Sequence, residues 1–233
     1  MELEGLMQID RAMLLFFNGS DSLFLDRFVS ILTSGFAWTP LFLALLYLVI
    51  KNNDTMPQIM LTIGCALLCI LLADGLADGI IKPLVARPRP LNDANFKDSI
   101  DVVQGIWDKS YSFFSAHAAN TFSLAVFFSF LIRHRLAVVA LVAWSVLNCW
   151  TRLYLGMHYP SDILVGLCWG FLVGYGVYRL YRYLYSRFSP ANNYVSSQYT
   201  PSGYAVEDID TMLLMMSLTI LYALIKAVMP VGA

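Results

Sequence analysis

The chain has 233 residues, of which 58% are hydrophobic, 14% aromatic and only 13% charged. An ordinary soluble domain carries about 25% charged residues, and 15 Lys or Arg with 16 Asp or Glu are too few to wet the surface of a soluble domain this long. Composition therefore excludes a soluble globule and a disordered chain, a net charge of −1 offers no basic surface to nucleic acid, and a single-domain polytopic membrane protein is left.

The first residues carry Glu2, Glu4 and Asp10 and lack the basic start of a signal peptide. Leu3, Leu6, Met7, Met13, Leu14 and Phe17 recur at helical spacing. They predict an interfacial amphipathic helix over about residues 1–20. A bilayer core takes about 20 apolar residues as a helix. Six stretches approach that length: 36–50 (extendable back towards Leu23), 57–81, 113–132, 136–155, 163–185 and 212–228. Breaks fall at residues 51–54 ahead of Pro57, at Arg133-His134-Arg135 and at Tyr159-Pro160-Ser161. Two polar excursions interrupt the pattern. Residues 82–112 are rich in Pro, Asp and Lys, and residues 189–210 in Ser, Asn, Tyr and Gly. The second reads as a mobile polar linker to a sixth, less integrated span over 211–233. The expected fold is an all-α transmembrane helical bundle of about six spans with an N-terminal interfacial helix. Cys65, Cys69, Cys149 and Cys168 all lie in apolar segments and read as small buried hydrophobes. Trp38, Tyr47, Trp107, Tyr111, Trp144, Trp150, Tyr154 and Trp169 read as interfacial belt and packing.

Alternating six spans gathers three polar clusters on one side of the membrane. Lys82 and Arg89 leave the second span, Ser115 and His117 open the third, and Arg152, His158 and Asp162 link the fourth and fifth. Taken singly, the cations are interfacial anchors, His117 is an interfacial histidine, and the Arg152–Asp162 group is a structural polar network. Together, three cations, two imidazoles, a serine and a carboxylate suit a phosphoryl group. Ser115 precedes a helix, so its hydroxyl and the nearby free N–H groups can face an anion. Asp162 sits about one turn from His158 and can hold one ring nitrogen, leaving the other free to attack. His117 can protonate a leaving alkoxide. No carboxylate cage for Mg²⁺ and no Cys/His spacing for zinc is present, so charge stabilisation falls to Lys and Arg. Asp78, one turn before Lys82, is predicted to pair with it or with another cation there; Asp74 needs a partner of its own. Asn148, one turn before Arg152, is expected to orient it.

These residues resemble the tripartite signature of the type 2 phosphatidic acid phosphatases, the PAP2 superfamily. Its Lys-x6-Arg-Pro motif is met by Lys82, Arg89 and Pro90. Its Pro-Ser-Gly-His motif is matched by Phe114, Ser115, Ala116 and His117, and its Ser-Arg-x5-His-x3-Asp motif by Thr151, Arg152, His158 and Asp162. Phe114, Ala116 and Thr151 depart from the pattern, although Ala116 keeps its N–H and Thr151 its hydroxyl. The resemblance implies that His158 is a nucleophile forming a phosphohistidine, that Asp162 orients it and that His117 protonates the leaving group. It further implies that Lys82, Arg89, Ser115, Ala116 and Arg152 hold the phosphoryl oxygens, with no metal and no cofactor. A catalytic domain over 1–188, the linker and an added C-terminal helix complete the expected organisation.

The substrate implied is a membrane lipid phosphate or diphosphate: undecaprenyl diphosphate, a lipid A phosphate, phosphatidylglycerophosphate or phosphatidic acid. It would enter laterally between spans, with residues 93–109 screening head groups. No protein partner is indicated. The count of basic residues does not orient the chain. The resemblance implies a bacterial inner membrane protein with its pocket facing the periplasm or exterior, the N-terminal helix outside, and Arg133 and Arg135 cytoplasmic. Two other readings stay open. Haloperoxidases share the triad but are soluble, and a non-catalytic lipid-phosphate binding or transport protein would not need His117 and His158 intact.

Overall fold

The structure, a computed structural model, describes residues 2–103, 108–187 and 197–229. Trp107, the side chains of Glu2, Leu3 and Glu4, and residues 188–196 of the expected linker lie outside the described residues. The described chain is helical throughout, with one isolated bridge between Tyr199 and Ala205. Its helices are α1 (Glu2–Phe17), α2 (Leu23–Leu32), α3 (Thr39–Lys51), α4 (Met56–Leu76), α5 (Lys82–Val85), α6 (Ala116–Ile132), α7 (Arg135–Tyr154), α8 (Pro160–Tyr185) and α9 (Val206–Val228).

Among the described residues, four stretches are long and apolar enough to cross a membrane: Met56–Asn92, α7, α8 and α9. Together, α2 and the Gly35–Lys51 segment make a fifth, bent by 66°. With 17 residues, α6 is shorter. The first expected span is therefore a broken helix and does not run straight back to Leu23. The break frees the carbonyls at the end of α2: Trp38 Nε1 donates to Leu32 O at 2.9 Å, and Arg152 uses the carbonyl of Thr33. A π-helical turn, Ala77–Ile81, extends α4, and α5 ends at Ala86 in the left-handed region, φ 48°. Such turns insert a residue and re-aim the downstream chain. Here they carry the chain out of the span into the polar excursion.

The main core joins residues from α3, α4, α6, α7, α8 and α9, with Phe127, Trp144, Leu41 and Met212 among its buried members. Its tightest seam lies between α6 and α8. Gly166, Gly170 and Gly174 recur every fourth residue along α8. A Cβ on each would stand 2.7, 2.6 and 2.4 Å from the backbone oxygens of Ser115, Ala119 and Ser123. Small residues at this spacing let two backbones touch where lipid supplies no hydrophobic drive. A second buried cluster, including Leu14, Leu91, Phe96, Ile100, Met157 and Tyr159, ties α1 to the excursion and to the turn before α8.

The C-terminal helix is more integrated than its polar approach suggests. Asp208 accepts from Asn52 Nδ2 at 2.9 Å and Tyr47 Oη at 3.2 Å, and Ile209, Met212 and Met216 enter the main core. At its far end Arg27 Nη1 donates to Met229 O at 3.0 Å. The approach itself is pinned where it is described: Ser202 Oγ donates to Ile132 O at 2.8 Å, and Ala205 N donates to Asn52 Oδ1 at 2.7 Å. Cys65, Cys69 and Cys149 are buried, Cys168 is exposed, and all four are free thiols.

The seam makes a prediction. Gly170→Val should lower the melting temperature in detergent, reflecting a loss of about 1–3 kcal/mol or more from overpacking. Gly176→Ala, where a Cβ meets nothing within 4 Å, should leave it unchanged or slightly higher.

Candidate active site

Three chain segments meet at the start of α8. Pro160 opens the helix and Tyr159 caps it. Asp162, at the third helical position, accepts from Tyr159 N at 2.9 Å, a capping arrangement that favours a carboxylate at the positive helix end. The second segment is the start of α6: Ser115 N donates to Asp162 O at 3.1 Å, and Gly166 lets the two helices close there. From the excursion, Ser112 Oγ donates to Asp162 Oδ2 and Arg87 Nη1 donates to Asp162 Oδ1 at 2.7 Å.

His158 lies beside this carboxylate and is 2% exposed. Its Nδ1 is 3.7 Å from Asp162 Oδ2, too far for a formed hydrogen bond, and has no other partner among the described residues. Its Nε2 is 3.3 Å from Arg89 Nη1. A guanidinium can only donate, so Nε2 is the accepting nitrogen and the ring proton sits on Nδ1, towards Asp162. Burial pushes the pKa of His158 down to about 4, against the pull of Asp162 and with the help of Arg89 and Lys82. At neutral pH the imidazole is therefore uncharged, with a lone pair facing the cations.

Lys82, Arg89 and Arg152 are all nearly buried. The charges of all three act on the His117 ring, and those of Arg89 and Lys82 on His158. Lys82 Nζ is 2.6 Å from Asp78 Oδ1, the expected pair. Arg89 is clamped by Ser110 O at 3.0 Å, Ser110 Oγ at 2.8 Å, Met157 O at 3.1 Å and Asp108 Oδ2 at 2.7 Å. Arg152 Nη2 donates to Thr33 O at 3.1 Å, while its buried Nε has no partner among the described residues. This donor, on a cation whose charge acts on the His117 ring, is of the kind that binds an anion. His117 is exposed, and its ring makes no hydrogen bond among the described residues.

One expectation needs correction. Asn148 does not reach Arg152: its amide donates to Trp144 O at 2.8 Å, one turn back, and the Thr33 carbonyl holds the arginine instead. Ser115 has no free N–H, since that group donates to Asp162, and its hydroxyl accepts from Ala118 N at 3.4 Å as the cap of α6. The hydroxyl proton and the amides of Ala116 and His117, which have no intrahelical acceptor, are what it leaves for an anion. Asp74 finds its partner in Asn120 Nδ2 at 2.6 Å.

Four residues around Asp162 were not singled out from the sequence: Arg87, Ser112, Asp10 and Ser161. Arg87 was legible as the first half of Arg87-Pro88-Arg89-Pro90. Asp10 was legible as a carboxylate within the apolar stripe of α1. Nothing in the sequence marks Ser112 or Ser161. Among the described residues no group of three or more His, Cys, Asp or Glu side chains could hold a metal ion.

A neutral buried imidazole, backed by a carboxylate and facing Arg89 and Lys82, is suited to a membrane-embedded phosphatase. Comparison with known proteins agrees. Residues 62–186 match the PAP2 superfamily. The chain is 38% identical over 180 residues to the lipid A 4'-phosphatase of Bacteroides thetaiotaomicron, covering 77% of this chain and 78% of that one. Identity to the lipid A 4'-phosphatase of Porphyromonas gingivalis is 32%, over 82% of this chain and 80% of the relative. Its fold is like that of a transmembrane PAP2-type phosphatidylglycerolphosphate phosphatase from Bacillus subtilis, with a TM-score of 0.58 at 19% identity, over 81% of this chain and 90% of that structure. The chain belongs to the PAP2 superfamily and is an integral membrane phosphatase.

The buried neutral histidine links stability to pH. Its folded pKa, about 4, lies below the ordinary value of 6.5, so the unfolded chain binds the extra proton first and stability falls as pH drops from 6.5 towards 4. The loss is on the order of 3 kcal/mol. Melting in detergent between pH 7 and pH 4.5 should show a steeper fall for the wild type than for His158→Gln.

Proposed function

We propose that this protein hydrolyses a lipid phosphate monoester at the outer face of a bacterial inner membrane, through a phosphohistidine, and that its substrate is of the lipid A 4'-phosphate class. The observation that carries the chemistry is the His158 ring: Nε2 accepts from Arg89 and the Nδ1 proton points at Asp162. The phosphoryl group would sit between Nε2 and the cations, its oxygens held by Arg89, Lys82, Arg152, the Ser115 hydroxyl and the amides of Ala116 and His117. Nε2 attacks phosphorus and the bond from phosphorus to the lipid oxygen breaks. His117, protonated once the phosphoryl dianion offsets the three cations acting on its ring, gives its proton to the departing alkoxide. Asp162 stabilises the positive charge that the His158 ring gains. Water then attacks the phosphohistidine, His117 takes a proton from it, and inorganic phosphate leaves with His158 restored. Lys and Arg supply all the positive charge these steps need.

The substrate class is supported by two relatives, both named lipid A 4'-phosphatase, that match over more than three quarters of this chain. The outward orientation rests on the resemblance to the family and not on the basic residues. Lys82, Arg87 and Arg89 on the site side are tied into ion pairs. Setting these three cations aside leaves the remaining basic residues evenly divided between the two sides, so the count favours neither face.

Phosphate release by the purified protein in detergent, with a chelator present, checks the proposal. Wild type should turn over, and His158→Ala should lose activity by about a thousandfold or more. Across lipid A, phosphatidylglycerophosphate, phosphatidic acid and undecaprenyl diphosphate, kcat/KM should be highest for lipid A. A different winner overturns the substrate class; equal rates for wild type and His158→Ala overturn the chemistry.

A further inference from the structure

We infer that Asp10 of α1 is a positioning residue for the site: acting through Arg87, it sets the orientation and the unshared charge of Asp162, which makes the N-terminal helix a working part of the active site. The inference rests on the hydrolytic reading above and extends it to a residue outside the three motifs.

Asp10 occupies a position where the helical stripe of α1 calls for an apolar side chain, between Leu6 and Met7 on one side and Met13 and Leu14 on the other. It is nearly buried. Its carboxylate accepts from Ser161 N at 2.9 Å, from Ser161 Oγ at 2.5 Å and from Arg87 Nη2 at 2.7 Å. Arg87 splits its fork, giving Nη2 to Asp10 and Nη1 to Asp162 Oδ1, both at 2.7 Å. Its guanidinium lies 3.9 Å over the Tyr159 ring, which fixes the plane of the fork. Arg87 is thus shared by two carboxylates, one of which faces the His158 ring.

Docking of α1 does not need this arrangement. Leu14 is fully buried in the cluster with Tyr159, and Arg11 pairs with Asp93 at 2.8 Å, which in turn accepts from Tyr159 Oη at 2.9 Å. A buried ion pair is weak support for stability compared with apolar packing of the same volume. What Asp10 adds is electrostatic. With Asp10 present, the Asp10–Arg87–Asp162 set carries one net negative charge behind the imidazole. Without Asp10 that charge is cancelled, and without Arg87 it is doubled. The other groups acting on His158 are Arg89, Lys82 and His117, with Arg152 acting on His117.

The test compares wild type, Asp10→Asn, Asp10→Glu and Arg87→Gln, purified in detergent, by steady-state hydrolysis of a lipid phosphate from pH 3 to pH 8. Asp10→Asn should lower kcat about tenfold with KM within about twofold, and Asp10→Glu should recover most of the loss. The acid limb of kcat/KM should move to lower pH in Asp10→Asn and to higher pH in Arg87→Gln, because the two changes alter the charge behind His158 in opposite senses. A purely structural role would lower the folded fraction and leave the limb where it is. Unchanged kcat and an unmoved limb in Asp10→Asn would overturn the inference, whatever Arg87→Gln does. If Asp10→Asn yields no folded protein, Asp10→Ser is read in its place: a limb moved to lower pH supports the inference and an unmoved limb overturns it. A wild type that hydrolyses no lipid phosphate is a different failure, since it removes the phosphatase reading and this inference with it.

Discussion

The carboxylate of Asp162 has no contact with solvent, and a charge in that position costs several kcal/mol unless its lone pairs are met. They are met from three directions: Tyr159 N within the same helix turn, Ser112 just before α6, and Arg87 in the excursion after α5. None of these partners could be removed without exposing or stranding the charge. The requirement fixes where α6 and α8 begin relative to one another, and Ser115 N adds a bond to the Asp162 carbonyl at the same point. The histidine four residues earlier inherits its position from that junction. The carboxylate that the proposed mechanism uses is therefore also the pin that holds the excursion against the bundle.

The bilayer explains why so few residues do so much. With 13% of the chain charged, an ion pair inside the bundle is too costly to be incidental. Most cations on the site side have an identified acceptor: Lys82 has Asp78, Arg87 has Asp10 and Asp162, Arg89 has Asp108, and Arg11 has Asp93. Among the described residues Arg152 has no carboxylate partner and donates to the Thr33 carbonyl freed by the bend after α2. The bend thus has a chemical consequence, because a straight first span would keep that carbonyl within its helix. The glycine seam between α6 and α8 serves the same end, bringing the backbone carrying Ser115 against the helix carrying Asp162.

Much of this was legible in the amino-acid sequence, and what escaped has physical reasons. Lys82, Arg89, Ser115, His117, Arg152, His158 and Asp162 are short-range patterns at helix ends, and spacing alone suggests that they converge. The Asp10–Arg87 bond joins residues 77 positions apart, and no periodicity encodes such a pairing. Its only local trace is one carboxylate in an apolar stripe. The same limit applies to Asn148, where helical spacing correctly put it one turn from Arg152 but could not reveal that its amide turns back to Trp144. For α9, the polar stretch before it suggested a loose appendage. What holds it is Asn52, which donates to Asp208 and accepts from Ala205 N across more than 150 residues.

The central claim is that the His158 imidazole, held between Asp162 and Arg89, takes the phosphoryl group. The most direct measurement is to mix the protein with lipid phosphate labelled in its phosphoryl group, quench within a turnover, and locate the label by peptide mapping. The account predicts acid-labile label on His158, present in wild type and absent in His158→Ala. Label found on another side chain, or turnover with no labelled protein at any quench time, would contradict it.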